Sequence, residues 1–417
     1  MTEQFLLLGT IILVGFFGSL FFKKTRIPDV LILLLFGVIL GPVTNIVAPG
    51  YFAGMASFVG TLALILVLFD GGLNLNISEV VKGVPEAILF ALSSFIISSV
   101  LVGSALHFLA GWNFLHALLM GVVVGGTSSP IVMSIVEKLR AGGKAKTVLS
   151  LESVITDVLC IITAVVLVEL IILKSFNASA IAQDLTSAFT TAAVVGFLFG
   201  VFWVGILRKF YGKPFGYVVT LAAIFIMYAF VESIGGSGAV SVLCFSLVLG
   251  NSHEIFQYLR IQGGSEIDEN IRIVQREISF FVKTFFFVYL GFLFNMNALQ
   301  LAPLSLALII LAAIYIGRTI AVRILVAKEK HFEKDSALML SLAPRGLAAA
   351  VLAFLPLNSG IKIDYFSDIA FLIILFTSIV ATAGAFMFGG GVAEETATTG
   401  KSDATSRQNK PRVVSKR

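Results

Sequence analysis

The chain has 417 residues, 58% of them hydrophobic and 13% charged, and its mean hydropathy is +1.01. Such an apolar excess excludes a soluble globular domain and describes a polytopic membrane protein. The net charge of +5 does not describe a nucleic-acid binder, because the basic residues are scattered over short loops and a tail, with no groove-reading motif beside them.

Taken in chain order, the apolar run 5–22 has no basic residue before it and no small-residue cleavage site after it, so it is expected to be a retained span. About thirteen segments are long enough to cross a hydrocarbon core of ~30 Å. They are 4–22, 27–47, 57–76, 84–110, 112–136, 147–173, 185–207, 214–234, 237–252, 275–295, 302–325, 335–357 and 366–389. The fold class is therefore all-α. The longest internal loop, 253–274, is expected to hold a short surface helix. Residues 1–391 form one transmembrane domain, and 392–417, rich in Thr, Ser and basic groups, form a disordered cytoplasmic tail. Cys160 and Cys244 stand alone in apolar stretches and read as small hydrophobes. His107, His116, His253 and His331 fall at span ends or in loops.

The distribution of positive charge tests the span count, since an error of one span scrambles the alternation between loops. With the amino terminus outside and the carboxy terminus cytoplasmic, 24 of the 29 lysines and arginines fall on inner loops or the tail. Only Lys174 and Lys362 fall outside, which leaves Lys283, Arg318 and Arg345 within spans. Lys283, near the inner end of span ten, is expected to snorkel toward the interface.

Two spans carry mid-membrane interruptions: "GGTSSP" (125–130) in span five and "APRG" (343–346) in span twelve. Irregular backbone is tolerated at that depth only when buried in protein or lining a cavity. Lying seven spans apart, the two segments run in opposite directions. Spans four to six and eleven to thirteen are thus expected to be inverted repeats whose discontinuous helices cross at the midplane.

Charged groups in the bilayer are expensive, so each demands a reason. Asp157, ten residues into span six, lies about 15 Å deep, and Glu152 about 7 to 8 Å deep. Arg318 reaches a depth similar to that of Glu152, so the two are expected to pair. Glu152 and Asp157 are separated by roughly 140° around the helix, whereas Ser153 and Asp157 share a face. Asp157, with Ser153, Thr156 and the backbone around Thr127 and Ser128, is expected to face a hydrated cavity suited to a monovalent cation. Two alternatives stay open here: Asp157 as a structural partner of Arg345, and Asp70 as either a cavity-lining group or a helix-end cap.

The stretches "LFDGGLNL", "GGTSSP", "ESVITD", "YIGRTIAV" and "APRGL", in this order, resemble the monovalent cation:proton antiporter superfamily, sodium/proton exchanger branch, over residues 1 to about 390. That resemblance implies thirteen helices, a homodimer built on a dimerisation domain, a six-helix core with two crossed unwound helices, and elevator-like motion of the core. It also implies that Asp157 is the ion- and proton-binding carboxylate, that Thr127 and Ser153 are cation ligands, and that Glu152 pairs with Arg318. The chain departs from the family pattern at Thr156, where exchangers often have Asn, and at Ser128, where they usually have Asp.

A midplane carboxylate must be neutralised by a proton or a cation before it can cross, so the two ligands compete. With Glu152 paired, Asp157 is the single titrating group, which predicts electroneutral exchange of one cation for one proton; the residues do not choose between sodium and potassium, and the resemblance to the sodium/proton exchanger branch puts sodium first. No cofactor and no covalent step is involved, so the chain is not read as an enzyme. The rival readings are a passive cation channel and an intramembrane aspartyl protease using Asp70 and Asp157; the latter lacks a "GxGD" stretch.

Overall fold

A computed structural model describes residues 2–25, 28–44, 56–74, 85–136, 142–173, 178–210, 216–258 and 269–388. The expected tail, 392–417, and the loop cations Arg26, Lys82, Lys138, Arg140, Lys174, Lys213 and Arg260 lie outside the described residues. Among the described residues all regular structure is helical. In chain order the helices are α1 (Thr2–Thr25), α2 (Asp29–Val38), α3 (Ala56–Asn74), α4 (Pro85–Ala110), α5 (Phe114–Val123), α6 (Ser129–Val136), α7 (Gly143–Leu173), α8 (Ala178–Leu207) and α9 (Gly216–Ser233). They continue as α10 (Gly238–Gly250), α11 (Ser252–Tyr258), α12 (Glu269–Phe292), α13 (Leu301–Lys328), α14 (Ser336–Ser341), α15 (Leu347–Leu352), α16 (Leu355–Asn358) and α17 (Phe366–Phe388).

Local chemistry sets several of these boundaries. Asn113 caps α5 by accepting a hydrogen bond from Leu115 N–H at 3.0 Å, and Ser237 caps α10 through Val240 N–H. Pro28 precedes α2, where its fixed φ suits helix entry. Pro42 has no N–H to continue the ladder, and α2 runs into a π-helical turn, Ile39–Val43, that contains it.

Six helices (α4, α7, α8, α9, α13 and α17) are individually long and apolar enough to cross a membrane, and α10 with α11 makes a seventh when counted as one span bent by 84°. Helices α1 and α12 are 24 residues long without joining that set, and the other apolar segments are shorter. The π turn follows α2, an irregular stretch separates α5 from α6, and another separates α14 from α15. Length and composition alone therefore give fewer uninterrupted spans than the thirteen expected. The loop after span nine, expected to hold a short surface helix, begins with α11, whose Ser252 and Phe256 are buried, and its residues 259–268 lie outside the described residues.

Packing is built on small residues, as bilayer interiors require, because lipid provides no hydrophobic drive to bring helices together. Helix α13 lies along α4, α10 lies between α8 and α3, and α12 lies along α2. At the α2–α12 crossing a Cβ on Gly37 would overlap the Val288 carbonyl oxygen, and one on Gly291 would overlap that of Leu34. Only glycine on both helices permits this approach. Outward-facing side chains such as Leu13, Phe17, Leu198, Phe202 and Ile226 are exposed, while the interior is a continuous apolar core. Buried polar groups interrupt that core, and Thr127, Ser128, Glu152, Ser153, Thr156, Ser341 and Arg345 among them lie on α7, at the end of α14 or in the two interruptions.

Candidate functional site

Helix α7 presents Glu152 and Thr156 on one side and Asp157 on another, and the interruption between α5 and α6 crosses in front of both. Three successive backbone N–H groups of that interruption have no helical partner, and each is satisfied by a different element. Thr127 N–H donates to Thr156 Oγ1 at 3.1 Å, Ser128 N–H to the Pro344 carbonyl at 2.8 Å, and Ser129 N–H to Asp157 Oδ2 at 3.1 Å. Buried backbone donors need such partners, so the unwound segment is held by α7 on two sides and by the second interruption between them. Gly126 presses on α7, where a Cβ would stand 2.9 Å from the Thr156 carbonyl oxygen; Gly346, in the second interruption, lies so close to Ser128 that a Cβ would overlap its Oγ.

Asp157 accepts twice on the same oxygen: Ser129 Oγ–H reaches Oδ2 at 2.6 Å beside the backbone donor. Ser129 opens α6, whose N-terminus directs its partial positive charge at the carboxylate. Among the described residues no arginine, lysine or histidine forms an ion pair with Asp157. The side chain is half-buried and lines a cavity of about 600 Å³, whose polar walls include Asp70, Asn74, Ser129, Ser279 and Lys283.

Glu152 occupies a different environment. Its Oε1 receives Arg318 Nη1 at 2.7 Å and Thr127 Oγ1 at 2.9 Å, with both charged side chains shut away from solvent. Arg318 also donates from Nη1 to Ser94 Oγ at 3.1 Å, from Nε to the Met339 carbonyl at 2.9 Å and from Nη2 to the Leu342 carbonyl at 3.0 Å. The last two acceptors belong to the end of α14, where the chain leaves the helix and its carbonyls lose their intrahelical donors. The guanidinium further lies 4.5 Å from the ring centroid of Phe90. One arginine thus joins α4, α7 and the second interruption.

The expected site residues separate into groups. Thr127 Oγ1 donates to Glu152 Oε1 and lies 3.2 Å from Thr156 Oγ1, which itself donates to the Ser153 carbonyl; neither threonine bonds to Asp157. Ser128 and Asp70 line the cavity with Asp157. Ser153 is buried and its Oγ donates to the Ser150 carbonyl at 2.8 Å. Arg345 is buried, its N–H donating to Thr377 Oγ1 at 3.0 Å, while side-chain Nε and Nη1 have no hydrogen-bond partner. Asp70 receives Asn74 Nδ2 at 3.1 Å and Gln275 Nε2 at 3.4 Å, and Tyr217 OH fixes that amide by donating to Gln275 Oε1 at 2.7 Å.

Two residues escaped sequence reasoning. Ser129 precedes Pro130, the pattern of a residue that opens a helix, and that signal pointed to it over Ser128. Lys283, expected to snorkel, has a specific partner: its Nζ lies 2.6 Å from Asp29 Oδ2, and no sequence signal links positions so far apart.

With this geometry established, comparison with known proteins is direct. The family description "Sodium/hydrogen exchanger, transmembrane" matches residues 9–388. A K(+)/H(+) antiporter NhaP from Alkalimonas amylolytica is 23% identical over 379 residues, covering 89% of this chain and 63% of that protein. Na(+)/H(+) antiporter 1 from Methanocaldococcus jannaschii is 25% identical over 364 residues, covering 83% of this chain and 81% of that protein. This chain therefore spans less than two thirds of the first relative's length. In fold, the solved structure of the sodium proton antiporter MjNhaP1 from Methanocaldococcus jannaschii at pH 8 matches with a TM-score of 0.72 at 23% identity, covering 93% of this chain and 100% of that one.

Proposed function

The chain belongs to the sodium/hydrogen exchanger family, and on that premise we propose that it exchanges a monovalent cation, Na+ ahead of K+, for a proton at Asp157. The observation that carries this is the Asp157 carboxylate itself. It stands at the wall of the cavity, oriented by two donors on one oxygen and paired with no basic side chain among the described residues. A carboxylate so placed takes a proton or a cation as its neutralising partner, and each excludes the other. Relatives named for sodium and for potassium exchange are both compatible with such a site.

The stoichiometry follows from the charge count. Because Glu152 is committed to Arg318, the proton-loaded and cation-loaded forms of the site carry equal charge, and exchange is electroneutral at one cation per proton. Thr127 and Thr156 act by holding the unwound segment, and Ser128 and Asp70 present further oxygens to the cation. Ser153, a ligand by family pattern, reaches the site by a rotamer change that releases Ser150. Arg345 compensates the carboxylate charge at long range. Spans four to six and eleven to thirteen, including the two crossed interruptions, form the moving core of a homodimer. The core exposes Asp157 alternately to each side, with the amino terminus outside and the cavity open to the cytoplasm.

In proteoliposomes holding a pH gradient, addition of Na+ is expected to dissipate the gradient without dependence on membrane potential, and Asp157→Asn abolishes this while the protein still folds. Retained exchange in that variant excludes Asp157 as the carrier. Flux indifferent to an opposing pH gradient establishes the rival passive channel.

A further inference from the structure

The cavity wall carries a charge that exchange at Asp157 does not use. Among the described residues that line the cavity, Lys283 is the one cation, and it shares that space with the carboxylates Asp70 and Asp157. It also lines an adjoining pocket of about 60 Å³ together with Asp29, Ser128 and Pro130. Its ammonium is held at 2.6 Å by Asp29 Oδ2, the lysine and aspartate side chains keeping 21% and 11% of their exposure. Asp29 is the first residue of α2, so its side chain stands at the positive end of that helix.

An ammonium in a cavity built to receive a cation is a competitor tethered to the wall. Lysine has a long, flexible stem and a compact charge, so its position depends on what holds it. We propose that Asp29 is a positioning residue that binds Lys283 to the wall and thereby sets the cavity's affinity for the transported cation. Released from Asp29, the ammonium turns to the remaining carboxylates of the same cavity and contests them with Na+. The proposal rests on exchange at Asp157.

The test is the dependence of exchange on Na+ concentration in proteoliposomes for Asp29→Asn, Lys283→Gln, the double variant and Asp157→Asn. Asp29→Asn is expected to raise the apparent KM for Na+ about tenfold at unchanged maximal rate, the size of a like-charge repulsion across a partly hydrated cavity. The double variant returns KM to the parental value or below it, because the competitor is gone. Lys283→Gln alone, which stays informative if Asp29→Asn does not fold, lowers KM about threefold by removing the like charge. A purely structural tie between α2 and α12 predicts instead a loss of maximal rate or folded protein in both single variants, with no rescue in the double. That result overturns the proposal, as does an unchanged KM in Asp29→Asn or in Lys283→Gln while Asp157→Asn remains inactive. Activity in Asp157→Asn, by contrast, overturns the site of exchange itself.

Discussion

Arg318 Nη1 and Glu152 Oε1 lie 2.7 Å apart with both side chains almost fully buried, and the same guanidinium holds two backbone carbonyls at the end of α14. A buried pair of this kind is weak evidence for net stabilisation, since desolvating two charges offsets much of their attraction. Breaking it is a different matter. Arg318→Ala leaves a buried carboxylate and two buried carbonyls unmatched, and is expected to destabilise the fold by about 3 to 5 kcal/mol. Thermal unfolding in detergent measures this. Glu152→Gln, which keeps the acceptor for Thr127 Oγ1, is expected to lose less.

Ser129 supplies both hydrogen bonds to Asp157, so the hydroxyl and the backbone contributions are separable by one substitution. Ser129→Ala keeps the N–H at the start of α6 and removes the 2.6 Å hydroxyl bond. A hydrogen bond to a charged group contributes about 1.5 to 3 kcal/mol, so loss of orientation is expected to weaken apparent cation affinity roughly tenfold or more. Ser128→Ala keeps the backbone contact with Pro344 and removes one of several oxygens offered to the cation, so it is expected to weaken affinity less than Ser129→Ala. Equal effects from the two substitutions contradict the assignment of Ser129 as the group that aims the carboxylate.

The difference between Ser128 and Ser129 also marks where sequence stopped being informative. The unwound segment was legible because Gly125, Gly126 and Pro130 cluster within an apolar run. Which serine reaches Asp157 was not, because Ser128 is taken up by Pro344, a residue more than two hundred positions away. The Glu152–Arg318 contact was readable from depth, since two opposite charges at one level in a low-dielectric slab must find each other. The same logic missed Asp29, which stands at a span end and carries no burial signal, so its capture of Lys283 was invisible. Helical face alone placed Ser153 beside Asp157, yet a serine hydroxyl in a helix has a local acceptor within reach and here bonds Ser150 instead.

Gly346 tests the contact between the two interruptions. A methyl group there overlaps Ser128 Oγ, and the Ser128 to Pro344 hydrogen bond fixes the spacing of the two backbones. Gly346→Ala is therefore expected to lower the unfolding temperature by overpacking, with a penalty of about 1 to 3 kcal/mol, and to reduce maximal exchange rate. Ser128→Gly in the same chain removes the atoms that are struck, and recovery of stability in the double variant is the measurement that checks the clash. Because the φ of Gly346, −144°, lies outside the left-handed region, the backbone adds no glycine-specific penalty, and absence of recovery overturns the clash with Ser128 as the cause.

Competition at one carboxylate fixes the sign of the pH dependence. A proton on Asp157 blocks the cation, so lowering pH on the cation-loading side is expected to raise the apparent KM for Na+ while leaving the rate at saturating Na+ unchanged there. Each tenfold rise in proton concentration raises KM about tenfold at the acidic limit, where most sites are protonated, and the dependence flattens at alkaline pH, where few are. Raising proton concentration on the opposite side accelerates turnover, because the empty carboxylate must be reloaded before it returns. Initial rates over a grid of Na+ concentration and pH check this. A maximal rate that falls with proton concentration at constant KM denotes a second titrating group outside the transport site, and Asp70, on the same cavity wall, is the first to substitute in that event.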